Sequence, residues 1–219
     1  MFPSRNRDPK GRRMISISHG FLFVHVGKNG GNTISSVLAP YADDRIYRAA
    51  DHQDGVDRFE VANPRYGIRK HAGLREYRDA LPPDLYARLF KFAVVRNPWD
   101  RMISVHLSPN RIAQGKASPG RVDPEHFCRL VRRQRTFRQF VKTDDGGNLC
   151  DELDEVLRFE NLADDLRGVC DRIGLPPREV PHLNRGGRDR NYRAYYDAEM
   201  RKRVAEKFSE EIAYFGYTF

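Results

Sequence analysis

Short apolar runs alternate along the chain with longer amphipathic stretches, and the two patterns predict different elements. Phe21-Leu22-Phe23-Val24-His25-Val26 and Phe90-Lys91-Phe92-Ala93-Val94-Val95 are too short for helices and predict buried strands over 20–26 and 90–95. Further strands are expected at 66–70 and 155–159. Helical spacing falls between them. A helix over 32–38 stops at Pro40, one over 73–80 closes at Pro82-Pro83, and Pro83 opens another in its first turn. Asn97-Pro98 caps a helix that carries Arg101, Ser104 and His106. Two short basic helices follow at 125–132 and 136–141, then a turn at Asp144-Asp145-Gly146-Gly147. Leu162, Leu166, Val169, Cys170 and Ile173 form one apolar stripe, ended by Gly174 and Pro176-Pro177. Met200, Val204, Phe208, Ile212 and Phe215 form another and predict a single closing helix. Residues 41–64, with their cluster of aspartates, read as mixed surface chain, and 108–124 and 176–195 read as loops. Strands alternating with helices predict an α/β layered fold with a parallel sheet.

Two of the predicted strands end alike. The first runs into Gly27-Lys28-Asn29-Gly30-Gly31-Asn32-Thr33, the second into Arg96-Asn97-Pro98-Trp99-Asp100-Arg101-Met102-Ile103-Ser104. Strand, tight turn and helix start is the arrangement that cradles a phosphate, because unsatisfied N–H groups and the positive end of the helix dipole point the same way. A lysine at one strand end and an arginine at the other suit a nucleotide-like donor with two separated anionic groups.

Composition narrows the class only partly. At 219 residues the chain is expected to be one domain over 1–219, with 1–15 a flexible leader. A net charge of +9 implies an anionic partner, for which nucleic acid, an acidic polysaccharide and a nucleotide all serve. Cys128, Cys150 and Cys170 are odd in number and far apart, which argues against a zinc site or disulfide framework and for reduced thiols. No apolar stretch is long enough for a signal peptide or membrane anchor, so a soluble, cytoplasmic protein is expected.

The two strand-end motifs resemble those of sulfotransferases that use 3'-phosphoadenosine-5'-phosphosulfate (PAPS), and they are closest to the carbohydrate-type, sulfotransferase family 2-like branch. The second motif of that branch, Arg-Asn-Pro-x-x-Arg-x-x-Ser, is met by Arg96, Asn97, Pro98, Arg101 and Ser104. In the first, roughly His-x-Pro-Lys-Thr-Gly-Gly-Thr-Ser, Lys28, Gly30, Gly31 and Thr33 remain, while Gly27, Asn29 and Asn32 depart from the pattern. The likeness continues through Lys70-His71-Ala72, Arg158-Phe159-Glu160-Asn161-Leu162, Pro181-His182-Leu183-Asn184 and Phe215-Gly216-Tyr217. It implies a three-layer P-loop-like fold with a central, mainly parallel sheet flanked by helices. It also implies PAPS as co-substrate, 3',5'-bisphosphoadenosine (PAP) as product, and no metal.

Site roles follow from that resemblance. Lys28 is the expected electrostatic catalyst, stabilising charge on the leaving oxygen. Asn29, Gly30, Gly31, Asn32 and Thr33 are expected around the 5'-phosphate, and Arg96 with Ser104 around the 3'-phosphate. Arg188, in the Gly/Arg-rich segment 184–190, is expected to clamp the nucleotide. Arg101 reads as a structural salt bridge, Trp99 as packing and His25 as a satisfied core histidine. His71 is the expected base for the acceptor hydroxyl, with Glu76 as the alternative. The acceptor is expected to be a hydroxyl on a carbohydrate or glycoconjugate, with neither nucleic acid nor a membrane span involved. A nucleotide kinase is disfavoured because its loop places lysine after the glycines. A non-enzymatic polyanion- or nucleic-acid-binding protein stays open on charge alone.

Overall fold

A computed structural model describes residues 14–42, 45–47, 60–62, 65–108, 111–112, 115, 117, 122–176 and 191–219. Its central sheet has four strands in the order β1 (Ile15–Ser16), β2 (Phe21–Val24), β5 (Phe90–Val95) and β6 (Glu155–Arg158). β2, β5 and β6 are parallel and β1 is antiparallel to β2. β3 (Arg45–Tyr47) and β4 (Glu60–Ala62) pair antiparallel in a separate ribbon.

Alternation along the strands builds two cores. Phe21, Phe23, Phe92, Val94 and Leu157 face α1 (Gly31–Leu38) and α7 (Leu162–Arg172), meeting Ile34, Val37, Leu166 and Val169. Leu22, Val24, Ala93 and Val95 face the opposite way, toward Leu74 and Tyr77 of α2 (Leu74–Ala80), Leu85 of α3 (Pro83–Arg88) and Phe140 of α6 (Arg138–Val141). These are the three layers the resemblance implies. A third cluster joins Trp99, Met102 and Ile103 of α4 (Pro98–His106), Phe127 and Val131 of α5 (Pro124–Arg133), and Met200 and Val204 of α8 (Ala198–Lys207). No helix among the described residues is long and apolar enough to cross a membrane.

Four expectations need correction. The stretch 66–70 is turn and irregular chain with a single bridge residue, because Gly67 takes a left-handed backbone (φ +68°) that interrupts an extended run. Residues 41–64 contain β3 and β4, each too short to show an alternating pattern. Met14 and Ile15, assigned to the leader, are fully buried against the sheet. The closing stripe is two helices, α8 and α9 (Ser209–Phe215), which break at Phe208 (φ −114°, ψ 25°). That break buries Phe208 in the third cluster and lets α9 turn Glu211 inward. Residues 1–13 and the segment 184–190 with Arg188, as well as His182, lie outside the described residues.

Candidate active site

Parallel pairing of β2 with β5, Val24 opposite Ala93, puts both motifs at one edge of the sheet. The first strand end turns through Gly27–Gly30 into α1. Lys28 is the one non-glycine with positive φ (+69°) among the described residues, a conformation that costs an ordinary side chain about 1–3 kcal/mol. Gly30 follows with φ +80° and caps α1; a Cβ there would lie 2.8 Å from Leu162 Cδ2. A Cβ on Gly31 would lie 2.1 Å from His25 Nε2, so the helix can start this close to the His25 ring only with glycine. In the first turn of α1 the Thr33 N–H bonds the Gly30 carbonyl at 2.9 Å, and the positive end of the helix dipole lies at this turn.

The second motif holds this turn in place. Arg96 donates from Nη1 to the Lys28 carbonyl at 2.8 Å. Its Nε and Nη2 grip one oxygen of Asp100 at 2.8 and 2.6 Å, and its guanidinium lies 3.8 Å from the Phe159 ring centroid. Arg101 donates from Nε to the Gly27 carbonyl at 3.2 Å. Asn29, buried at 2% exposure, donates its side-chain amide to the Val94 carbonyl at 2.7 Å. Strain at Lys28 is thus balanced by bonds to consecutive carbonyls, that of Gly27 held by Arg101 and that of Lys28 by Arg96. Arg96, expected at the 3'-phosphate, is 6% exposed and bound to Asp100. Arg101 is a structural residue, and its ionic partner is Glu211 at 3.9 Å.

Thr33 is buried in the first turn of α1, Asn32 is half-buried there, and Ser104 is half-buried two turns into α4. Asn97 caps α4, accepting from the Trp99 N–H, and donates to the Thr218 carbonyl at 2.9 Å. Glu160 accepts from the Asn97 N–H at 2.8 Å and from the Tyr217 hydroxyl at 3.1 Å. A cavity of about 320 Å³ opens here, lined in part by Asn97, Asp100, Glu160, Tyr192, Arg193 and Tyr217. Neither Lys28 nor His71 lines it. Trp99 is packed, its Nε1 donating to the Arg201 carbonyl.

His71 stands on the other side of the loop. Its ring lies 4.7 Å from that of His25, edge to face, and its Nδ1 is 3.0 Å from the His25 carbonyl. A carbonyl only accepts, so Nδ1 carries the proton and the neutral ring presents Nε2 as its basic nitrogen. Protein crowds most of the ring while an edge reaches solvent, and this desolvation lowers the pKa from 6.5 to about 4. The His25 carbonyl opposes that shift, and the charges of Lys70, Arg135 and Lys28 add to it. His25 is buried and held well below its usual pKa, first by desolvation. It is not fully satisfied: its Nδ1 meets no hydrogen-bond partner among the described residues. Glu76, the alternative base, accepts from the Gly73 N–H at 3.0 Å at the start of α2 and faces Arg135 at 3.6 Å.

Sequence reasoning missed Asp100 as the partner of Arg96; Arg96 stands at the end of β5 and Asp100 four residues on in the first turn of α4. It also missed Glu211, which no local pattern marks. The basic stretch near 129–138 is largely engaged within the protein. Arg129 pairs with Glu125, Arg138 with Glu210, and Arg135 donates to the His71 carbonyl.

Comparison with known proteins agrees with this geometry. No curated protein and no solved structure matches the chain. The model of the sulfotransferase family matches residues 12–218, nearly the full length and both strand-end motifs. The chain therefore belongs to the sulfotransferase family.

Proposed function

We propose that the protein uses PAPS to sulfate a hydroxyl group, most naturally on a carbohydrate or glycoconjugate. The observation that carries this reading is the meeting of the Lys28 turn and the Arg96 strand end on adjacent parallel strands. Lys28, with the backbone of Gly30, Gly31 and Asn32 and the hydroxyl of Thr33 at the start of α1, holds the 5'-phosphate, and Asn29 braces the turn from behind through Val94. The Lys28 ammonium stabilises the charge that develops on the bridging oxygen as the bond to sulfur breaks. Arg96 and Ser104 read the 3'-phosphate, which takes the place of the Asp100 carboxylate on the guanidinium. Arg188 closes over the nucleotide. His71 Nε2 removes the hydroxyl proton of the acceptor as its oxygen bonds to sulfur. Positioning and electrostatics dominate such transfers, so the chain's own cations suffice.

Isothermal calorimetry with PAP in the absence of magnesium tests the donor site, and binding is expected. Lys28→Ala should weaken that binding, keep the fold and lose sulfuryl transfer from PAPS. A Lys28→Ala protein that turns over within a few-fold of wild type would sink the assignment.

A further inference from the structure

Beneath the loop lie two nearly buried charges. Arg101 and Glu211 have side chains 4% exposed each, with Arg101 Nη1 3.9 Å from Glu211 Oε1. Arg101 reaches the Gly27 carbonyl through Nε and the Arg135 carbonyl through Nη2, at 3.2 and 3.1 Å. Arg135 in turn donates from Nη1 to the His71 carbonyl at 3.2 Å. Glu211 is anchored on its other oxygen by the Phe137 N–H at 2.9 Å, while Oε1 meets no hydrogen-bond donor among the described residues and faces Arg101. Two guanidinium groups in series, of Arg101 and Arg135, thus join the residue before Lys28 to the His71 carbonyl, and one carboxylate from the final helix faces the first of them.

We infer that Glu211 is a positioning residue of the donor site, acting through Arg101 to hold the carbonyls of Gly27 and Arg135 and hence the geometry of Lys28 and His71. The inference rests on the PAPS reading above. Two arguments favour positioning over stability as the role of the carboxylate. Burial pushes the Glu211 carboxyl up to about 7, against the pull of Arg101 and the Phe137 N–H. Ionising it in the folded protein is therefore costly, and buried ion pairs often stabilise no better than an uncharged replacement. The other charged groups facing Glu211 are Glu210, which raises its pKa, and Lys207, which lowers it. The Tyr217 hydroxyl also feels Glu211 but is bound to Glu160 and held above its ordinary pKa, chiefly by desolvation. Secondly, a negative charge behind an anion site weakens anion binding by simple Coulomb repulsion. A carboxylate that strengthens binding there must work through geometry.

Glu211→Gln tests this, since glutamine keeps the shape and can still accept from the Phe137 N–H. In the wild type, PAP affinity should fall as pH drops through about 7, where Glu211 gains its proton. In Glu211→Gln at pH 8, PAP should bind roughly tenfold more weakly, a typical coupling within one ion-pair network, and without that inflection. The melting temperature at pH 8 of the variant carrying both Arg101→Gln and Glu211→Gln, which leaves no buried charge unpaired, should be no lower than that of wild type. Arg101→Gln should weaken PAP similarly, and adding Glu211→Gln to it should cost nothing more. Unchanged or tighter PAP binding by Glu211→Gln, a surviving inflection, additive losses in the double variant, or a melting temperature that falls in step with affinity would each overturn the inference. A wild-type protein that binds no PAP overturns the donor reading itself, and this inference with it.

Discussion

Lys28 keeps a left-handed backbone because its own carbonyl and that of Gly27 are each bound by an arginine. The side chain is thereby aimed by bonds its own neighbours cannot supply. His71 is set by similar means: the His25 carbonyl fixes which ring nitrogen is basic, and desolvation keeps the ring neutral. The sign of its pH dependence follows. The folded pKa, about 4, lies below the ordinary 6.5, so the base is already deprotonated at neutral pH. The unfolded chain takes up this proton first, and stability falls as pH drops from about 6.5 toward about 4. The limb of kcat that belongs to His71 should therefore lie near pH 4 and not near 6.5. His71→Ala should lower kcat by about 10²–10⁴-fold and abolish that limb, with PAP affinity retained. Rate measurements from pH 4 to 8 check this. A limb that survives in the variant would transfer the role to another group, such as Glu76.

At the scale of elements, the site is a junction of helix starts. α1 begins at Gly30, which takes its left-handed backbone without steric cost, and α4 begins at Asn97, whose side chain caps the helix and ties it to the chain end at Thr218. Glu160, in the turn after β6, binds the Asn97 N–H, so the three parallel strand ends are joined through side chains as well as through the sheet. Asn97→Ala removes the cap and the bond to Thr218 together. A loss of about 1–2 kcal/mol is expected, at the upper end for a helix cap, visible as a lowered urea midpoint with an unchanged slope. A neutral substitution would show that the cap contributes nothing to holding α4.

For the whole molecule, the sheet separates two apolar layers, and β5 lies between β2 and β6 at its centre. Phe92, wholly buried, stacks on Phe23 at 5.2 Å and touches Phe21 across the strand pair at 6.4 Å. Phe92→Ala should cost about 3–5 kcal/mol through lost burial and the cavity left behind. Equilibrium urea unfolding measures this directly. Because β5 runs straight into Arg96, PAP affinity should weaken in the same variant as the strand end loosens. The buried pair of Arg101 and Glu211 extends the same dependence to the last helix, which lies far from the loop in sequence.

The strands at 20–26 and 90–95, the helices after them and the pairing of lysine and arginine at their ends are legible in the chain alone. Each is a local matter: an apolar run of the right length, a glycine turn, a proline at a helix start. The α/β class follows from their alternation. Short-range patterns did not reveal β3 and β4, whose few residues are held by pairing with each other, or the break at Phe208, where burial of one ring and of Glu211 outweighs a continuous apolar stripe. Nor did they show that Arg96 is bound to Asp100 and the Lys28 carbonyl, that His71 is turned by His25, or that Arg101 meets Glu211. Those contacts join residues far apart in the chain or choose among several partners within reach. Residue type and spacing determine which groups are available to the site; strand order and burial decide which of them face each other, and with what charge.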